Sequence, residues 1–93
     1  MKIEEILSNR NTTLVDVRSV EEFEDETLDG AINIPLHTIP VRVEEFKAMK
    51  SPIVVFCRSG ARSYQATMWL KQNGVEVFDG GGIGNLKAKM RRD

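Results

Sequence analysis

Cysteine is nearly absent from this chain: Cys57 is the only one in 93 residues. An intrachain disulfide is therefore excluded, and a reducing compartment suits the protein. Histidine, tryptophan and tyrosine also occur once each, at His37, Trp69 and Tyr64. With neither a Cys/His cluster nor a glycine-rich nucleotide loop, no metal and no organic cofactor is expected. No apolar run approaches the roughly 20 residues that span a bilayer. Met1 to Arg10 is an amphipathic stretch with two glutamates, unlike a secretory signal. The expected location is cytoplasmic, and these residues do not bear on a leader removed ahead of residue 1. A basic stripe interleaved with aromatics is missing too, which argues against nucleic acid, and nothing suggests a membrane partner.

What is present describes one domain over residues 1–93, near the small end of what a single core supports. The hydrophobic share of 41% and the charged share of 29% are ordinary for a globular protein. The net charge of −1 is unevenly spread: residues 1–30 hold nine acidic and three basic side chains, and 57–93 hold three acidic and seven basic. The half that carries the thiol is the cationic half, which suits a small anionic substrate.

The chain is organised around Ile53 to Ser63, Ile-Val-Val-Phe-Cys-Arg-Ser-Gly-Ala-Arg-Ser. Its apolar start predicts a strand buried on both faces, ending at Cys57. A helical pattern begins at Ser63. A thiol between a strand end and a helix N-terminus sits where loop amides and the helix dipole favour negative charge. The amides of Arg58 to Ser63 can face inward as a nest, and Arg58 and Arg62 add two full positive charges. Such surroundings draw a cysteine pKa from about 8.5 toward about 7 or below. A shift of about two units corresponds to roughly 2.7 kcal/mol, within reach of a loop with these parts. Cys57 thus reads as a nucleophile. The competing reading is a small buried hydrophobe; Gly60 and the two arginines weigh against it.

Read in order, Lys2 to Asn9 predicts a helix with Ile3, Ile6 and Leu7 on one face. Thr13 to Val17 predicts a strand. Ser19 with Glu22 predicts a capping box, and Phe23 packs the short helix that follows. Glu21 to Glu26, five acids in six residues, reads as solvated surface. Ala31 to Ile34 predicts a short strand closed by Pro35. Thr38 to Lys50 reads as one helix with Pro40 in its first turn and Ile39, Val43 and Phe46 inward. Ser63 to Asn73 predicts the next helix, with Gly74 as its C′ residue. Val75 to Phe78 predicts the last strand, Gly80 to Gly82 a close-approach loop, and Ile83 to Arg92 a terminal helix. Helices alternating with short apolar strands imply an α/β fold, a parallel sheet covered on both faces. Ligands in such sheets sit off the carboxyl ends of strands. Asp16 to Arg18, Pro35 to His37, Cys57 to Arg62 and Asp79 to Gly82 are expected to share one rim.

These residues resemble the rhodanese domain family. The matches are Asp16-Val17-Arg18, Glu21-Glu22-Phe23, Gly30-Ala31-Ile32-Asn33-Ile34-Pro35, Cys57-Arg58-Ser59-Gly60-Ala61-Arg62-Ser63 and Gly81-Gly82-Ile83, in family order from about residue 12 onward. The resemblance implies a three-layer α/β/α sandwich with a four- or five-stranded parallel sheet, and sulfur transfer through a cysteine persulfide. Three departures stand out: Glu26-Thr27 where the family usually has Gly-His, Leu86 where it usually has tryptophan, and a short N-terminus that reduces or removes a first edge strand. The first two concern packing and surface rather than sulfur chemistry.

The expected reaction is a double displacement with Cys57 as catalytic residue. Arg58, Ser59, Gly60, Ala61 and Arg62 are the candidate substrate-binding loop, and Asp16, Arg18 and Ser63 are structural or rim residues. The expected partners are a small anionic sulfur donor such as thiosulfate and a thiol or protein sulfur acceptor. A thiolate of low pKa needs no general base, so His37 reads as an exposed turn residue. Two rivals stand beside this: a non-catalytic rhodanese-fold binding module docking through Glu21 to Glu26, and phosphatase or arsenate-reductase chemistry. The Cys57-x4-Arg62 spacing is one residue shorter than the phosphatase Cys-x5-Arg. It leaves room for an extra sulfur atom rather than a tetrahedral oxyanion.

Overall fold

β3 (Ile53–Cys57) is buried along its whole length because both of its faces are covered. A computed structural model describes residues 2–90 and places β3 inside a four-stranded, all-parallel sheet. The strand order is β2 (Ile32–Asn33), β1 (Thr13–Asp16), β3, β4 (Phe78–Gly82). Successive side chains along β3 point to opposite faces. Val54 and Phe56 pack with Ile6 of α1 (Ile3–Ser8) and Leu86 of α5 (Ile83–Met90). Ile53, Val55 and Cys57 lie in the opposite cluster. There they join Ile39 of a 3-10 segment (Leu36–Val41), Phe46 of α3 (Val43–Lys47), and Ala66 and Leu70 of α4 (Ala61–Gln72). Two cores on either side of one sheet make the three layers. Each fully buried Val, Ile or Phe contributes about 1.5–3 kcal/mol relative to exposure.

The register aligns the strand ends. Asp16 is opposite Asn33 on one side and Phe56 on the other, and Cys57 is opposite Gly82. The rim is closed by side chains as well, since Asn33 Nδ2 donates to the carbonyls of Asp16 (2.9 Å) and Arg18 (3.1 Å). α2 (Val20–Asp25) follows β1 and begins with the expected capping box, the Ser19 hydroxyl accepting from the Glu22 amide.

Beside strands shorter by a residue or two at their ends, three differences from the sequence reading bear on the site. The single helix expected over Thr38 to Lys50 is a 3-10 segment and a separate α3, divided at Arg42 (φ −123°, ψ 20°). Pro40 lacks an amide hydrogen and lies inside the 3-10 turns, where an α-helix has no donor to continue on. The last strand starts at Phe78, the final residue of the expected one, and runs through the glycines expected to form a loop. Val75 and Val77 are buried, but they lie outside the paired strand. Glycine permits this pairing by close approach: a Cβ on Gly80 would lie 2.7 Å from Val54 Cγ1 and 2.9 Å from Leu86 Cδ1. The third difference is α4, which starts at Ala61, two residues ahead of Ser63, so Ala61 and Arg62 belong to its first turn rather than to a loop.

The N-terminal residues form α1, and among the described residues no strand precedes β1. Arg91 and Arg92, expected to end the terminal helix, lie outside the described residues. Among the described residues no helix is long and apolar enough to cross a membrane. Gly80→Ala is expected to lose about 1–3 kcal/mol by overpacking, read as a lower denaturation midpoint in urea.

Candidate active site

Cys57 ends β3 at the sheet rim, 1% exposed, with its sulfur facing the turn that follows. Gly60 takes φ +105°, a left-handed conformation that favours glycine, and caps the N-terminus of α4. That turn aims the backbone at the sulfur. The Gly60 amide donates to Cys57 Sγ at 3.0 Å and the Ser63 amide at 3.4 Å. The Ser63 hydroxyl lies 3.6 Å from the same atom. β4 presses on the turn from the other side, and a Cβ on Gly82 would meet the Arg58 carbonyl oxygen at 2.8 Å.

Burial pushes the Cys57 thiol up, yet the net shift is downward. Hydrogen bonds to the thiolate from the Ser63 amide and, when its proton turns to the sulfur, the Ser63 hydroxyl, then from the Gly60 and Ser59 amides, outweigh the desolvation. The sequence reading assigned much of this effect to Arg58 and Arg62. Neither guanidinium is among the leading causes, and the cradle of N–H and O–H groups supplies the stabilisation.

The arginines are disposed unequally. Arg62 makes a two-pronged pair with Glu22, Nη1 to Oε1 at 2.7 Å and Nη2 to Oε2 at 3.1 Å. Glu22 is itself oriented by the Ser19 amide and hydroxyl at 3.1 Å. Arg18 is buried and donates to Asp16 through Nε and Nη2 (2.8–3.1 Å) and to the carbonyls of Glu22 and Glu26. Asp16 also accepts from the Arg18 amide and from the Thr27 hydroxyl, both at 2.9 Å. Asp16 thus anchors the end of its own strand and Arg18, not an arginine of the Cys57 turn. Thr27, at a position where the resemblance shows a departure, is tied into this anchor. Arg58 is exposed and has no ion pair among the described residues.

Sequence reasoning placed Cys57, Ser59, Gly60, Ala61, Arg62 and Ser63 together, and they surround one turn. It read Glu22 as the partner of Ser19 in a capping box and as part of a solvated acidic run, and did not foresee its pairing with Arg62. The capping box was the available signal that this glutamate is held in place. It also did not single out Asp79, whose Oδ1 accepts from the Ser63 hydroxyl at 2.7 Å and the Gly81 amide at 2.9 Å. His37 is exposed, as expected, and lines a cavity of about 310 Å³ with Val17, Arg18, Ser19, Pro35, Leu36 and Arg62. Among the described residues no group of three or more His, Cys, Asp or Glu is placed to hold a metal.

The Arg62 guanidinium, with help from Ser19, holds the Glu22 carboxyl at about 2 instead of 4.5. A carboxylate lowered in the folded state adds stability that is full above its unfolded value and is lost as pH falls toward the folded one. The α2–α4 tie is therefore expected to fade from about pH 4.5 down to about 2. Glu22→Gln should flatten the pH dependence of the melting temperature in that window and lower it at neutral pH.

Residues 2–83 match the model of the Rhodanese-like domain family. A curated sulfurtransferase from Allochromatium vinosum is 38% identical over 69 residues, covering 74% of this chain and 64% of that protein. A tRNA uridine(34) hydroxylase from Buchnera aphidicola is 35% identical over 79 residues, covering 80% of this chain and 25% of that protein. The match thus spans less than two thirds of either relative. The solved structure described as rhodanese with anions from E. coli superposes with a TM-score of 0.68 at 31% identity, covering 80% of this chain and 89% of that one.

Proposed function

This chain belongs to the rhodanese-like domain family, and from that premise we propose that residues 1–93 act as a sulfurtransferase of thiosulfate sulfurtransferase type. The observation that carries the reading is the pair of amides at 3.0 and 3.4 Å from Cys57 Sγ, which stabilise charge on sulfur at a strand end. The Cys57 thiolate attacks the outer sulfur of thiosulfate or another sulfane donor. A bond forms between Cys57 Sγ and that sulfur, the donor's sulfur–sulfur bond breaks, and sulfite (for a persulfide donor, its thiolate) leaves with the electron pair. A nucleophilic acceptor, cyanide or a thiol, then attacks the terminal sulfur of the persulfide, and the Cys57 thiolate is released. With no second cysteine in the chain, the sulfur passes to another molecule.

Arg58 is the cation available to the donor, and Arg62 takes part while remaining paired with Glu22. Ser59, Gly60 and Ala61 contribute backbone at the turn, while Asp16, Arg18 and Ser63 support the rim. The short Cys57-x4-Arg62 spacing favours sulfur over phosphate or arsenate. One observation favours a second reading, a non-catalytic binding module: Cys57 is 1% exposed.

Incubation with thiosulfate followed by intact-mass measurement separates these readings. Sulfur transfer predicts an adduct of one sulfur atom, absent in Cys57→Ser and discharged by cyanide. A folded protein that gains no adduct supports the binding module, and hydrolysis of an aryl phosphate supports the phosphatase. Arg58→Ala should raise KM for thiosulfate about tenfold, the loss of one exposed charge-assisted contact worth about 1.4 kcal/mol. Steady-state cyanide assays measure it.

A further inference from the structure

The Ser63 hydroxyl has one proton and three acceptors in reach. Its oxygen lies 2.7 Å from Asp79 Oδ1, 3.1 Å from the Gly60 carbonyl and 3.6 Å from Cys57 Sγ. The carboxylate is the closest of the three and the only charged oxygen, so it takes the proton. Ser63 then turns a lone pair toward the sulfur and accepts from the Cys57 S–H. Asp79 is fixed for this role. It pairs in register with Val55 of β3, and the Gly81 amide donates to the same Oδ1 at 2.9 Å.

We propose that Asp79 is a positioning residue for Cys57 that acts through Ser63, drawing the hydroxyl proton away from the sulfur and favouring the thiol over the thiolate. When Cys57 ionises, its proton leaves to solvent. The thiolate and the carboxylate then compete for the one hydrogen of Ser63, and whichever wins leaves the other without that bond. Asp79 thereby restrains an ionisation that the Gly60 and Ser63 amides promote, without touching the sulfur. The other charges around the site are committed elsewhere. Arg62 of α4 is paired with Glu22 of α2, and Asp16 with Arg18 at the end of β1. Arg58, beside the thiol, is exposed to solvent. The inference rests on the reading of Cys57 as the sulfur-carrying thiolate.

The test is the rate of Cys57 alkylation by iodoacetamide across pH in wild type, Asp79→Asn, Ser63→Ala and the double variant. Asparagine keeps an oxygen for the Gly81 amide but is a weaker, uncharged acceptor for Ser63. The midpoint is expected to fall by about half to one pH unit in Asp79→Asn. In the Ser63→Ala background the same substitution should move it much less, because only the direct charge effect remains. An unchanged or raised midpoint in Asp79→Asn, or an equal shift with and without Ser63, overturns the proposal. If Asp79→Asn does not fold, the unsubstituted chain decides. The ¹³C carboxyl resonance of Asp79 should show a step at the pH where Cys57 ionises, lost in Cys57→Ala, because coupling between two sites is reciprocal. No step overturns the proposal. Alkylation reads the thiol alone and the thiosulfate adduct reads sulfur transfer, so either idea can fail without the other.

Discussion

The rest of the structure depends on a contest at one sulfur atom. Burial at the end of β3 disfavours a negative charge on Cys57, and hydrogen bonds from the following turn favour it. The second effect wins only while the Gly60 and Ser63 amides stay aimed at Sγ. An amide aimed inward costs no further reorganisation when charge develops, which is how a preorganised dipole outperforms a mobile cation. The positive φ of Gly60 and the early start of α4 at Ala61 are the local devices that aim them.

That turn is short and lacks a core of its own, so its neighbours hold it. β4 lies against it as a strand of glycines, with Gly82 so close to the Arg58 carbonyl that no side chain fits between. On the opposite flank, Glu22 pins Arg62 and thereby ties α2 to the first turn of α4. Asp16, Arg18, Thr27 and Asn33 lock the end of β1 beside it. Guanidinium groups that looked free in the sequence are thus mostly structural, and Arg58 alone stands unpaired at the turn among the described residues.

This division of labour bears on how such a site meets an anion. Charge that is spent on internal pairs holds geometry but adds little net field, because each carboxylate cancels its partner. Stabilisation then falls on N–H groups a few ångströms from the reacting atom, whose effect is local and little screened by salt.

The α/β alternation, the buried strand ending in Cys57, the capping box at Ser19 and Glu22, and the turn at Gly60 were all legible in the sequence. Each is a local pattern: a run of apolar residues, an i to i+3 pair, or a glycine beside a thiol. What the chain alone left open were partners distant in sequence. Glu22 and Arg62 are 40 residues apart, and Ser63 and Asp79 are 16 apart. Whether a carboxylate is solvated surface or the anchor of an arginine depends on which strand ends the sheet sets side by side. The glycine run became a strand rather than a loop for the same reason: a close approach was legible, but the neighbours that Gly80 meets, Val54 and Leu86, come from elsewhere in the chain. Local chemistry in the chain pointed to one thiol and the turn beside it; the assembled sheet decided which charges remain free near it.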